Sequence, residues 1–143
     1  MIRQHIVFLT GASISSESGI PTFRGKDGLW NGERKVYLAR SEALHNDTSE
    51  FLAFKNDMRQ RVFDTAPNVA HTFIADLEKQ HQVTVITQSI ADLHERTGST
   101  NVIHLHGELA RVCSSDNSHD ARYIREMSMN VPIRLGDNAG DVS

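Results

Sequence analysis

The chain opens on a short apolar run, His5–Thr10, in which β-branched Ile6 and Val7 fit an extended strand. Apolar residues at successive positions predict burial on both faces, as in a parallel sheet. The run stops at Gly11. From Gly11 to Gly19 (GASISSESG) nearly every residue is small or carries a hydroxyl, which predicts a tight turn and a helix start capped by Ser15 or Ser16. Residues 20–32, with Pro21, three glycines, Phe23 and Trp30, predict an ordered but irregular loop. Between Ser41 and Phe63, Leu44, Phe51, Leu52, Phe54, Met58 and Val62 recur at helical intervals with a break near Asn46–Thr48, so two helices are expected. Pro67 is expected to open a further helix, with Val69, Ala70, Phe73, Ile74 and Leu77 as its apolar stripe through Glu78. Val83–Thr87 reads as a second buried strand, Ala91–Arg96 as a short helix ended by Gly98, and Val102–Leu105 as a third strand. Strands alternating with helices predict parallel α/β architecture. Beyond Gly107 the periodicity decays, and Arg111–Ser143 is rich in Ser, Asp, Asn and Gly. That stretch is expected to be a small irregular module or partly disordered.

Composition narrows the class. The chain has 143 residues, 38% hydrophobic and 23% charged, an ordinary mix for one globular domain. Fifteen Lys+Arg against eighteen Asp+Glu leave a net charge of -3. No overall positive field is available for a nucleic acid or an anionic bilayer, so any nucleotide must be held locally. Cys113 is the single cysteine. It cannot form an internal disulfide or, alone, a cage of four thiolates, which fits a reducing compartment. Met1–Gln4 is too short and polar for a signal peptide, and Ile6–Leu9 falls far below the roughly 18 residues of a spanning helix. A cytoplasmic protein is expected.

The turn at Gly11–Gly19 has the chemistry of a phosphate cradle: small side chains permit close approach, and a strand end followed by a helix start aims backbone amides outward. Taken together, Gly11–Gly25 (GASISSESGIPTFRG), Thr87–His94 (TQSIADLH) and Leu105–Gly107 (LHG) resemble the sirtuin family of NAD-dependent protein deacylases. Asp27–Trp30 (DGLW), Pro67–His71 (PNVAH) and Gly98–Val102 (GSTNV) lie between them in the family's order. The resemblance covers roughly residues 5 to 110. It implies a Rossmann-like parallel sheet with helices on both faces, here incomplete with about three of the usual six strands. Residues 1–110 would then be the NAD-binding region and 111–143 a small irregular module or truncated tail.

By the same resemblance, Gly11, Ser13 and Ser15 belong to the turn that holds the diphosphate. Ala12, Thr22, Phe23 and Arg24 belong to a loop that closes over the nicotinamide ribose, and Phe23 shields the reacting carbon. Trp30, Gln88, Ser89, Ile90 and Ala91 complete the cofactor set. His106 matches the general base that draws a proton from the ribose hydroxyls, a task suited to imidazole because its ordinary pKa near 6.5 leaves it mostly neutral yet basic. From residue type alone, the alternatives are that Phe23 is a core aromatic, Arg24 a surface charge and His106 a buried histidine at a strand end. His104 and His106 stand two apart, on one face of a strand, which is compatible with two metal ligands. His71 and His94 match family positions and are read as structural.

The sequence departs from the family pattern at Ser13, where the family has glycine, and at Ser89 and Ala91, where it has asparagine and aspartate. A side chain at position 13 would cost about 1–2 kcal/mol if φ there were positive. Two lost polar partners would slow turnover by roughly a hundred to ten-thousandfold. Many compact bacterial members carry a tyrosine and, three residues on, an arginine that read acidic acyl groups. The corresponding positions here are Lys55 and Met58. The zinc ribbon of many members needs two cysteine pairs, so no metal or zinc is expected around Cys113. Nor does the family's second half have a counterpart before Ser143. The expected activity is that of an NAD-dependent deacylase acting on an acyl-lysine protein or peptide, weak or absent as this chain, with no nucleic-acid or membrane partner. The alternatives are a catalytically dead module that binds NAD or ADP-ribose, or an NAD glycohydrolase or ADP-ribosyl transferase.

Overall fold

The structure is a computed structural model, and it describes residues 3–22, 28, 32–114 and 124–137. The chain forms two compact units. One comprises Met1–Gly28 with Thr65–Glu108, the other Leu29–Asp64 with Leu109–Ser143. Residues 29–64 thus group with the C-terminal segment and not with the strands that flank them in sequence.

The first unit is built on three parallel strands, β1 (His5–Thr10), β2 (Gln82–Thr87) and β3 (Val102–His104), with β2 in the middle. Thr10 pairs with Thr87 and Thr87 with His104, so the three strands end level. Central β2 is the most buried, Val83, Val85 and Thr87 being enclosed. One face of the sheet packs against α4 (Val69–Leu77): Ile74, Val83 and Val85 form a core joined by Phe8, Ile14, Leu77 and Val102. The other face stays open among the described residues. Val7 is 54% exposed and Leu9 75%, and Ile103, level with Leu9 across β2, is also exposed. Burial of β1 on both faces is therefore corrected: its alternation is one-sided, because no described element covers the second face.

After β1 the backbone turns at Gly11 into a 3-10 helix, Ala12–Ser18, which Gly19 ends at φ 93°. No serine caps this helix; Gly11 flanks it in an extended conformation, so the expected cap at Ser15 or Ser16 does not form. Helix α4 is instead capped by a side chain. Asn68 Oδ1 accepts from the Ala70 amide at 2.9 Å, and the Asn68 amide donates to His71 Nδ1 at 3.2 Å. Pro67 precedes that cap rather than opening the helix. The cap and the inward His71 set the rotation of α4, and they turn Val69 (75% exposed) and Phe73 (59%) outward. The expected apolar stripe is thus corrected to a buried face of His71 and Ile74. The short α5 (Leu93–Arg96) follows β2, and Gly98 at φ 99° reverses the chain toward β3.

The second unit contains α1 (Glu33–Leu38), α2 (Ser41–Asn46), α3 (Thr48–Phe63) and an antiparallel pair, β4 (Arg111–Val112) with β5 (Arg125–Glu126). The break expected near Asn46–Thr48 falls at Asp47, which accepts a 2.8 Å hydrogen bond from the Tyr37 hydroxyl. Arg59 on α3 is 2% exposed and donates to the carbonyls of Leu109 and Ser128. Asn56 exchanges a reciprocal pair with the Ile133 backbone, at 2.8 and 2.9 Å. These bonds tie the otherwise irregular C-terminal segment to α3. No described helix is long and apolar enough to cross a membrane.

Candidate functional site

Three loops leave the carboxyl ends of β1, β2 and β3 side by side. The Gln88 amide donates to the Thr10 carbonyl and the Leu105 amide to the Thr87 carbonyl, both at 2.9 Å. In open parallel sheets the crevice outside the carboxyl ends is where ligands bind. The Thr10 hydroxyl donates to Thr87 Oγ1 at 2.8 Å, which also accepts from the Ser89 amide at 3.0 Å, so buried hydroxyls lock the loop bases together.

The first loop holds Gly11, Ala12, Ser13 and Ser15. Ser13 is exposed, and no described residue other than glycine has positive φ. A serine there carries no backbone strain, which removes that cost. Ser15 is 1% exposed, and its Oγ has no hydrogen-bond partner among the described residues. An enclosed hydroxyl without a partner is energetically costly, by about 1–3 kcal/mol. It fits a site completed by a polar ligand, and the first amides of the 3-10 helix offer further donors. Asn68 Nδ2 donates to the Ile14 carbonyl at 2.7 Å and to Ser18 Oγ at 3.0 Å, pinning this loop to the start of α4. The sequence marks Asn68 as part of a motif block, yet its anchoring role is visible only in three dimensions. Thr22 is half-buried at the end of the first described stretch. Phe23, Arg24 and Trp30 lie outside the described residues.

In the second loop Gln88 is exposed, Ile90 half-buried, and Ser89 and Ala91 buried at 5% and 3% exposure. Ser89 Oγ accepts from the Ala91 amide at 3.3 Å, and its carbonyl accepts from His104 Nδ1 at 2.8 Å. Its side chain is spent on shaping the loop. Behind the loop sits an interior histidine pair, His71 and His94, each 1% exposed, with ring centroids 4.9 Å apart at 61°. Burial, reinforced by His71, pushes His94 down to about 4, and burial lowers His71 as well. His94 Nε2 lies 3.3 Å from the Thr10 hydroxyl.

In the third loop His106 is exposed in the turn after β3, just before Gly107 at φ 78°. It faces no packed hydrocarbon. His104, the last residue of β3, has a side chain only 3% exposed and is ion-paired with Glu95 Oε1 at 2.8 Å. Burial opposes its charged form, but Glu95, the Ser89 carbonyl and Glu108 outweigh it and raise its pKa above the ordinary value. The strand ends at His104, so strand alternation does not extend to His106. One enclosed and one exposed histidine do not make the paired metal ligands that a spacing of two suggested.

Lys55 and Met58 belong to α3 of the second unit. Met58 is 4% exposed and buried in that unit. Lys55 is half-buried, its ammonium 5.2 Å from the Phe51 ring centre, and burial lowers its pKa.

Comparison with known proteins agrees with this geometry. The model of the Sir2 family matches residues 11–137. An NAD-dependent protein deacylase of Bacteroides thetaiotaomicron is 42% identical over 139 residues, 96% of this chain and 59% of the relative. One from Helicobacter pylori is 44% identical, over 98% of this chain and 59% of its own length. A solved Sir2 homologue in complex with ADP-ribose superposes with a TM-score of 0.79 at 41% identity, covering 92% of this chain and 51% of that one. A Sir2 homologue in complex with NAD gives 0.76 at 41% identity, covering 93% and 50%. The chain therefore spans between half and three fifths of the length of these proteins. With the strand-end loops, the register of the sheet and these matches in agreement, the chain belongs to the Sir2 family, the sirtuins.

Proposed function

We propose that this chain supplies the NAD-binding face of an NAD-dependent protein-lysine deacylase, releasing nicotinamide and O-acyl-ADP-ribose. The observation that carries the reading is the set of level strand ends, whose loops offer the unpartnered Ser15 hydroxyl from one strand and the exposed His106 from another. Gly11, Ser13 and Ser15 would hold the diphosphate, Trp30, Gln88, Ser89, Ile90 and Ala91 would complete the cofactor set, and Ala12, Thr22, Phe23 and Arg24 would belong to the loop over the nicotinamide ribose. When bound, NAD would supply the anomeric carbon at which nicotinamide is exchanged for the acyl oxygen. His106 would be the group to take a proton from a ribose hydroxyl, a role open to an exposed imidazole. An acyl-lysine protein of the cytoplasm is the partner this reading names. Lys55 and Met58 stand where the resemblance puts a tyrosine and an arginine that read acidic acyl groups, and the absence of that pair argues against a dedicated desuccinylase.

A second reading, a module that binds NAD or ADP-ribose without turning it over, is favoured by one feature. Ala91 is buried and apolar where a polar group would hold the carboxamide, and Ser89 is already engaged with the Ala91 amide. Incubation with NAD and an acetylated peptide separates the two. Nicotinamide together with acyl-ADP-ribose supports the deacylase; nicotinamide alone marks a glycohydrolase; binding with neither product marks the silent module.

A further inference from the structure

Glu95 of α5, His104 at the end of β3 and Glu108 beyond the following turn converge. One ligand atom from each lies within 4.8 Å of one from each of the others. Two carboxylates and an imidazole are a donor set that zinc and other first-row divalent ions accept. Two observations separate this cluster from a surface ion pair. His104 Nδ1 is engaged by the Ser89 carbonyl at 2.8 Å, which leaves Nε2 facing Glu95 at 2.8 Å. That backbone bond fixes the tautomer and ring orientation in the way metal-ligating histidines are usually held. The His104 side chain is also enclosed at 3% exposure, while that of Glu95 is 36% exposed. An immobile floor ligand thus meets a carboxylate free to adjust at the rim.

We propose that Glu95, His104 and Glu108 form a divalent-metal site, with Zn2+ the best match and water in the fourth position. Ligand atoms about 2.0–2.2 Å from a tetrahedral zinc stand roughly 3.3–3.6 Å apart. The Glu95–His104 contact of 2.8 Å therefore opens slightly as the ion takes the place of the shared hydrogen, and Glu108 swings in. The site differs from the cysteine ribbon that the sequence lacks. It does not depend on the deacylase reading. Through His104 and the Ser89 carbonyl, the ion would brace the second cofactor loop.

The test titrates the purified full chain with Zn2+ by calorimetry and with Co2+ by visible absorption. The proposal expects saturation at one equivalent, d–d bands without thiolate charge transfer, and at least tenfold weaker binding in Glu108→Gln and in His104→Gln. Cys113→Ser and His45→Gln should bind as the parent does. Should His104→Gln fail to fold, as judged by circular dichroism, Glu108→Gln alone decides. Absence of saturable uptake overturns the site, and so does uptake that survives Glu108→Gln or disappears with Cys113→Ser or His45→Gln.

Discussion

Asn68 offers the sharpest handle on the link between fold and cofactor loop, because its two side-chain ends do different work. Oδ1 caps α4 through the Ala70 amide, while Nδ2 holds the Ile14 carbonyl and Ser18 Oγ of the 3-10 helix. Substitution by alanine removes both functions. Loss of the cap costs about 1 kcal/mol and each loop bond roughly another, so Asn68→Ala should lose about 3 kcal/mol. Aspartate keeps the cap acceptor but has no donor, and it sets a carboxylate against the Ile14 carbonyl. Asn68→Asp should therefore lose about 2 kcal/mol through the loop alone. Urea unfolding of both variants and the parent measures these differences, and titration with ADP-ribose measures their effect on the loop. Both variants should bind ADP-ribose more weakly than the parent. If Asn68→Asp matched the parent in midpoint and in affinity, the two donor bonds would contribute nothing and the anchoring argument would be refuted.

Arg59 is enclosed and holds two carbonyls, so Arg59→Met should destabilise the second unit by roughly 2–4 kcal/mol, read from urea unfolding. The interior histidine pair makes stability depend on pH. His94 titrates near 6.5 when unfolded and is pushed down to about 4 by burial in the folded chain, with Thr10, His71, Glu95 and His104 around it. The unfolded state therefore binds more protons between these values, and stability is full above about pH 6.5 and falls as the pH drops toward 4. The loss is up to about 3 kcal/mol for this group, and His94→Gln should flatten the profile measured by unfolding at several pH values. Installing the family residues through Ser89→Asn with Ala91→Asp should raise nicotinamide release, and no gain would show that another part of the site limits turnover.

Much of the sheet was legible because its signals are local. β-branched runs located β1, β2 and β3, and the interrupted periodicity around Asn46–Thr48 separated α2 from α3. The turn after β1 was legible by composition, since the small residues from Gly11 to Gly19 predicted a tight turn and a helix start there. What escaped depends on contacts distant in sequence. Arg59 reads as a surface charge until the carbonyls of Leu109 and Ser128 are seen around it. The facing of α4 follows from its Asn68 cap and from His71 packed on His94, so the apolar Val69 and Phe73 point outward. Likewise the spacing of His104 and His106 suggested one shared face, but β3 ends at His104 and the turn separates them.

The central claim is that the level ends of β1, β2 and β3 form a nucleotide site. Calorimetric titration of the purified chain with ADP-ribose tests it most directly. Saturable one-to-one binding is expected, competed away by NAD and weakened by Ser15→Ala. No heat up to millimolar ligand, or binding indifferent to Ser15→Ala and to NAD, would contradict it.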